Sequence, residues 1–292
     1  MAVADKVPKK FKPKTGKIKL GRIGLWAGVV FVVIFCLAPV LWQLLTSFKT
    51  NDAISAIPNV YFPAPDQLTL DHYLSLDWVF FRYVFNSAFV SIVSTFLCLV
   101  VGAPAAYTLA RLRIPGEKII LGCILIISLF PYVLLFLGLL EVVKALHIGN
   151  NYIALIVPYT AINLPLTILV LRSFFQQLPK DLEDSAKIDG YNTIEMLLKI
   201  VLPLTVPALV TTGILTFIFA WNEFIFALTF ITRQEMYTIP VAVAQIGSSS
   251  LYEIPYGPIA AATVAGTLPL IILVLAFQRR IVQGITAGAV KG

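Results

Sequence analysis

The residues best arranged to do chemistry lie between 181 and 203, where Asp181, Glu183, Asp184 and Asp189 stand beside small Ser185 and Ala186 in an otherwise apolar chain. Leu182, Glu183, Asp184, Ser185, Ala186 and Asp189 are expected to share a helix about two turns long. Asp181 is its expected N-cap, and the acidic residues of the first turn suit the helix dipole. Gly190 should end this helix, because the left-handed terminal conformation strains any residue with a branched side chain. Asn192 and Glu195 have capping-box spacing for a second helix. In that helix Ile194, Leu197, Leu198 and Val201 follow an i, i+3, i+4, i+7 pattern and predict one apolar face. Glu195 and Lys199 form an i, i+4 pair. Pro203 and Pro207 mark the return to apolar sequence. Small residues allow close approach and charges set register, so the first helix suits docking into a groove on another protein.

Nothing comparable points to catalysis. Glu223, preceded by Trp221 and Asn222, is the one carboxylate within an apolar run, where an ionisable group is costly and faces protein or a water-filled cavity. His72 and His147 share no motif spacing with another metal ligand, and both are expected at the surface. Ser185 has no histidine nearby. Cys36, Cys98 and Cys123 fall in three separate apolar runs and read as packing residues, with no disulfide framework. The chain has no phosphate loop of the Gly-x-x-x-x-Gly-Lys-Ser/Thr kind. No catalytic residue, metal site or bound cofactor is expected.

The elements that must position these residues are membrane helices. Of 292 residues, 59% are hydrophobic and 13% charged, and the mean hydropathy is +0.89, far outside soluble composition. A spanning helix needs about 20 mostly apolar residues. Six runs qualify, near 23–45, 83–109, 119–140, 152–175, 205–231 and 258–277. The expected fold is all-α and integral to the membrane, with six transmembrane helices. The first run is about twice the length of a signal-peptide core and lacks a small-residue cleavage site, so it is read as a retained span.

Charge orients the bundle. Eighteen of the 22 Lys and Arg precede the first run, lie between the second and third, flank the 181–203 segment or follow the last. Only Lys49, Arg82, Lys144 and Arg233 fall elsewhere. Positive charge marks the cytoplasmic side, so both termini are expected there, as a basic tail over 1–22 and a second tail over 278–292. The N-terminal lysines fit anionic headgroups better than nucleic acid. The six-helix membrane body then covers 23–277, with an extracytoplasmic segment at 49–81 and a cytoplasmic loop at 176–204. In the outer segment Asp71 is the expected cap of a short helix. Every run contains or adjoins a proline, and Pro131 and Pro165 are the best candidates for functional hinges. Trp42, Trp78, Tyr132, Tyr159 and Trp221 have rings that could stack on a sugar, although span-end aromatics are ordinarily interfacial anchors.

From Gly190 the polar segment resembles, in full, the coupling loop of ABC importer permeases: Gly, nine residues, Ile200, one residue, Leu202-Pro203. Upstream, Asp184-Ser185-Ala186 stands where the family has Glu-Ala-Ala. Asn86-Ser87, the run from Ala105 to Arg111, Arg113-Ile114-Pro115-Gly116, Trp221-Asn222-Glu223-Phe224, Gln278-Arg279-Arg280 and the closing Gly288-Ala289-Val290-Lys291-Gly292 resemble the MalG branch of carbohydrate importer permeases. The resemblance implies the type I ABC importer permease fold in a bacterial or archaeal inner membrane. It also implies a second, different permease subunit, two ATPase subunits that bind ATP-Mg, and an extracytoplasmic solute-binding protein. The 182–203 loop would carry ATP-driven closure of the ATPases to the membrane helices. The solute would be a sugar or sugar-derived molecule, moved by alternating access. Trp221, Asn222 and Glu223 would lie at an outer gate or in contact with the binding protein, or else form a network joining the two permeases. Solute-contact residues stay unassigned.

The alternative is a stand-alone secondary transporter or channel, which would call for charged residues in several spans or an inverted repeat. A membrane enzyme would need converging His, Asp, Glu or Cys, and none converge in the sequence.

Overall fold

The computed structural model describes residues 18–112, 114–248 and 254–289, so most of the basic tail, Arg113 and the last three residues lie outside the described part. In chain order the main helices are α1 (Ile18–Phe48), α2 (Trp78–Arg111), α3 (Glu117–Leu129), α4 (Phe136–Ala145), α5 (Ile153–Gln177) and α6 (Lys180–Ile188). They continue with α7 (Thr193–Leu204), α8 (Val206–Asn222), α9 (Ile225–Phe230), α10 (Ile239–Ser248) and α11 (Tyr256–Ala289). Among the described residues extended pairing is limited to an isolated bridge between Lys49 and Leu68.

Among the described residues four helices are long and apolar enough to cross a membrane, over Arg22–Phe48, Trp78–Arg111, Ile153–Gln177 and Tyr256–Gln278. The 119–140 run is not one helix. α3 and the helical segment Tyr132–Ala145 meet at 89°, because Pro131 lacks an N–H and holds Phe130 extended at ψ 131°. The 205–231 run is interrupted after Asn222, and α7 meets α8 at 81°. Pro39, Pro104, Pro158, Pro165 and Pro269 sit inside continuous helices. Of the two hinge candidates, only Pro131 marks a bend.

α2 and α5 form the centre, with α8 against both and α11 against α8. Gly102 permits their close approach, since a Cβ there would lie 2.8 Å from Thr167 Cγ2. Ser91, Ser94, Cys98, Thr160 and Thr167 are buried nearby. Cys98 Sγ lies 3.2 Å from Thr167 Oγ1, the small and polar contact expected between membrane helices. α1 lies outside, meeting α11 and leaving most of its apolar surface exposed.

The 49–81 segment is tied to the helix ends. Asp77 Oδ1 accepts from Val79 N at 2.9 Å and Phe80 N at 3.3 Å, capping α2. Lys49 is buried, lies 4.2 Å above the Trp42 ring and donates to the Val60 carbonyl. Burial pushes its ammonium below the ordinary lysine range. Two expectations fail here. Asp71 sits inside the first turn of the Asp71–Leu74 helix, whose N-cap is Leu70; Thr69 Oγ1 accepts from its N–H instead. His72 is buried rather than at the surface, donating from Nε2 to the Lys49 carbonyl at 2.9 Å. A Cβ on Gly257 would overlap the His72 ring. Gly257→Ala should therefore destabilise the purified protein by about 1–3 kcal/mol, read as a lower melting midpoint in detergent; an unchanged midpoint would contradict this packing.

Candidate functional site

α6 starts two residues before its expected position, with Pro179 rather than Asp181 as N-cap and Asp181 and Glu183 in the first turn. Proline at that place forgoes an N–H that the helix would leave unpaired in any case. The helix has two unlike faces. Ala186 is buried and Glu183 nearly so, turned toward the bundle. Asp181, Asp184, Ser185 and Ile188, spaced i, i+3, i+4, i+7, are exposed, and Ile188 is 87% exposed. Leu182 lies at the edge between them, 39% exposed.

Asp189 caps α6 at its C-terminus and Gly190 follows at φ +84°. Tyr191 N donates to Ala186 O at 3.0 Å and Gly190 N to Lys187 O at 3.1 Å, which is a Schellman ending. Asn192 Oδ1 accepts from Glu195 N at 2.9 Å and Glu195 Oε2 from Asn192 N at 3.1 Å, closing the capping box. The Asn192 N–H, followed by Lys199 at 3.1 Å, holds the Glu195 carboxyl below its ordinary range.

The expected apolar face of α7 is split. A π-turn over Leu197–Val201 shifts the helical phase, so Met196, Leu197 and Val201 are buried while Ile194 and Leu198 are 69% and 57% exposed. Ile200 and Leu202 pack at the edge of the same cluster as Ala103, Ala106, Tyr107 and Phe175. Pro203 is exposed and opens the last turn, Leu202–Leu204.

One arginine ties this hairpin to the bundle, and a second braces the helices beside it. Arg111 Nε lies 2.9 Å from Glu183 Oε1 with both side chains largely enclosed. The two atoms are in charge contact without hydrogen-bond alignment. Arg111 Nη2 also donates to Leu178 O at 2.5 Å. Arg172 donates from Nε to Leu109 O at 3.0 Å and pairs through Nη2 with Glu117 at 2.7 Å.

Residues 99–287 match the family described as Binding-protein-dependent transport system inner membrane component. This chain belongs to that family. Over 259 residues it is 41% identical to the sulfoquinovosyl glycerol transport system permease protein SmoH of Agrobacterium fabrum, covering 88% of this chain and 89% of that protein. It is 39% identical over 274 residues to the trehalose transport system permease protein SugB of Mycobacterium tuberculosis, covering 93% and 98%. A chain from the crystal structure of a bacterial ABC transporter that imports the acidic polysaccharide alginate shares its fold, with a TM-score of 0.75 at 21% identity over 93% of this chain and 99% of that one. The protein is a membrane permease component of a binding-protein-dependent import system, and members of this family are not themselves enzymes. Membership sets aside the stand-alone carrier or channel.

In this permease the three residues grouped as a candidate pathway point three ways. Trp221 is buried against Phe217, Phe80 and Tyr83. Asn222 is exposed and donates back to Ile218 O at 2.8 Å. Glu223 is buried at the break between α8 and α9, where its carboxyl accepts from Tyr159 OH at 2.5 Å, Phe226 N at 3.0 Å and Ala227 N at 3.2 Å. Tyr159 and Trp221 are too buried to stack on a solute. Tyr132 instead lines a cavity of about 390 Å³ at the α3–α4 bend, with Ser128, Asn163 and Phe219. Asn86-Ser87 pins the chain before α10: Asn86 Nδ2 donates to Glu235 O and Tyr237 O, both at 2.9 Å, and Ser87 Oγ accepts from Ile239 N at 2.8 Å.

Proposed function

We propose that this permease translocates a sugar or sugar-derived solute across the cytoplasmic membrane of a bacterium or archaeon by alternating access. The bent pair at Pro131 counts as one crossing and α8 with α9 as another, making six spans with both termini cytoplasmic. The permease body occupies 23–277, flanked by the 1–22 and 278–292 tails. The chain pairs with a second, homologous permease. Two ATPase subunits hold and hydrolyse ATP-Mg on the cytoplasmic side, and an extracytoplasmic binding protein delivers solute to the face carrying 49–81. The sugar class is supported by the sulfoquinovosyl glycerol and trehalose systems named for the two relatives.

The observation that carries the coupling assignment is the two-faced α6. Its inner face is fixed to the bundle through Ala186 and Glu183, while Asp181, Asp184, Ser185 and Ile188 are exposed on the outer face, Asp184 pairing with Lys187 at 3.3 Å. That outer stripe is the docking surface for an ATPase groove. Gly190 sets the turn behind it, and Ile200, Leu202 and Pro203 anchor the return to the membrane. ATP binding closes the ATPases, α6 moves with them, and the helices change between inward-open and outward-open states. The test is a photoreactive residue at position 185 in the assembled complex. It should crosslink to the co-purifying ATPase, with a yield that changes between nucleotide-free and ATP-bound states. Absence of any ATPase adduct would sink the docking assignment.

A further inference from the structure

Docking explains the outer face of α6 but leaves its buried charge unexplained. Glu183 faces inward to Arg111, and the two side chains are only 12% and 5% exposed. Taking an ion pair out of water costs much of what the pair returns, so such a pair is weak evidence of a stabilising role. What it does provide here is geometry. The Arg111 guanidinium ends α2, contacts Glu183 in the first turn of α6 and holds the Leu178 carbonyl at the end of α5. Arg172 adds a second brace, from α5 to the Leu109 carbonyl of α2 and to Glu117 of α3.

The route from α6 toward α8 is of another kind. It passes the left-handed Gly190, the π-turn at Leu197–Val201 and the 81° bend at Thr205. Glycine breaks, π-turns and bends are where helical chains yield. A displacement of α6 thus meets a direct charged link to α2 and α5, and a jointed path to α8.

We infer that Arg111 and Glu183 are positioning residues for energy coupling: their ion pair delivers the movement of α6 to the α2–α5 pair at the centre of the bundle. This rests on the reading of α6 as the ATPase-docking helix. Arg111 is nearly enclosed within the bundle and acts through Glu183.

The test uses the complete complex in proteoliposomes, with both permeases, the ATPases and the binding protein. Solute uptake, ATP hydrolysis and crosslinking from position 185 are measured for Arg111→Gln, Glu183→Gln, the double variant and Arg111→Lys. Uptake per ATP should fall about tenfold in each single Gln variant, the scale of a coupling link, while the ATPase crosslink persists. The double variant should be no worse than either single one, because both remove the same link. Arg111→Lys should recover part of the ratio. Unchanged uptake per ATP in the two single variants would overturn the inference. Equally, loss of assembly in all four variants would make the pair a folding element only. Failure of the crosslink without any substitution would refute the docking assignment instead, so the two failures are distinguishable.

Discussion

Gly190→Val should leave the permease in the membrane and abolish solute uptake. Gly190 sits at φ +84°, and a Cβ built there meets nothing within 4 Å, so the substitution adds no clash. Its whole effect comes from the backbone. A left-handed conformation costs an ordinary L-residue about 1–2 kcal/mol, and a β-branched residue is a true outlier there. The chain relieves that strain by abandoning the Schellman ending, which releases the bonds from Gly190 N to Lys187 O and Tyr191 N to Ala186 O. The angle between α6 and α7 then changes, and the exposed stripe turns away from its partner. A graded series makes the cause testable. Gly190→Asn, which tolerates the left-handed region, should retain most uptake, with Gly190→Ala intermediate and Gly190→Val inactive. Equal membrane levels on immunoblots and this order in uptake assays are expected. Normal uptake by the Val variant would end the case for this loop as the coupling element.

Glu223→Ala should lower uptake at least about tenfold, the equivalent of losing roughly 1.4 kcal/mol, while the permease still assembles with its partners. Three donors converge on this carboxyl, and removing it orphans Tyr159 OH and the N–H groups of Phe226 and Ala227 in a buried place. Each orphan costs about 1–3 kcal/mol. The damage stays local, because α5 and α9 are also held by an apolar cluster of Leu155, Ile156, Ala227, Phe230 and Ile231. What is lost is the fixed break between α8 and α9, with Tyr132 and the 390 Å³ cavity on the adjoining side of α5 and α8. Glu223→Gln keeps one acceptor oxygen and should fall between wild type and Ala. Co-purification of the second permease and ATPase, measured beside uptake, decides the matter. Loss of the complex itself would make Glu223 an assembly residue and count against a gate role.

Much of the hairpin was legible from spacing because its determinants are local. A capping box, a left-handed glycine and an i, i+4 ion pair each involve residues within one or two turns, so Asn192, Glu195, Lys199 and Gly190 sit where their types demand. The start of α6 differed because Pro179 competes with Asp181 for the capping position. The face of α7 differed because a π-turn changes the phase that a 3.6-residue period assumes. Pro131 and Pro165 carry the same local signal, a missing N–H, and only Pro131 breaks its helix.

The sequence by itself determined an all-helical membrane protein with a polar hairpin, a Gly190 turn and one carboxylate within an apolar run, since hydropathy, capping and chirality act over a few neighbouring residues. Only the tertiary structure decided where the charges go. Arg111 reaches Glu183 across 72 residues and Tyr159 reaches Glu223 across 64, and His72 is buried beneath α11 because Gly257 leaves it room. A buried polar group takes whatever partner packing brings within about 3 Å, and that partner is set by how α2, α5, α6 and α8 stack against one another, which no local pattern of residues encodes.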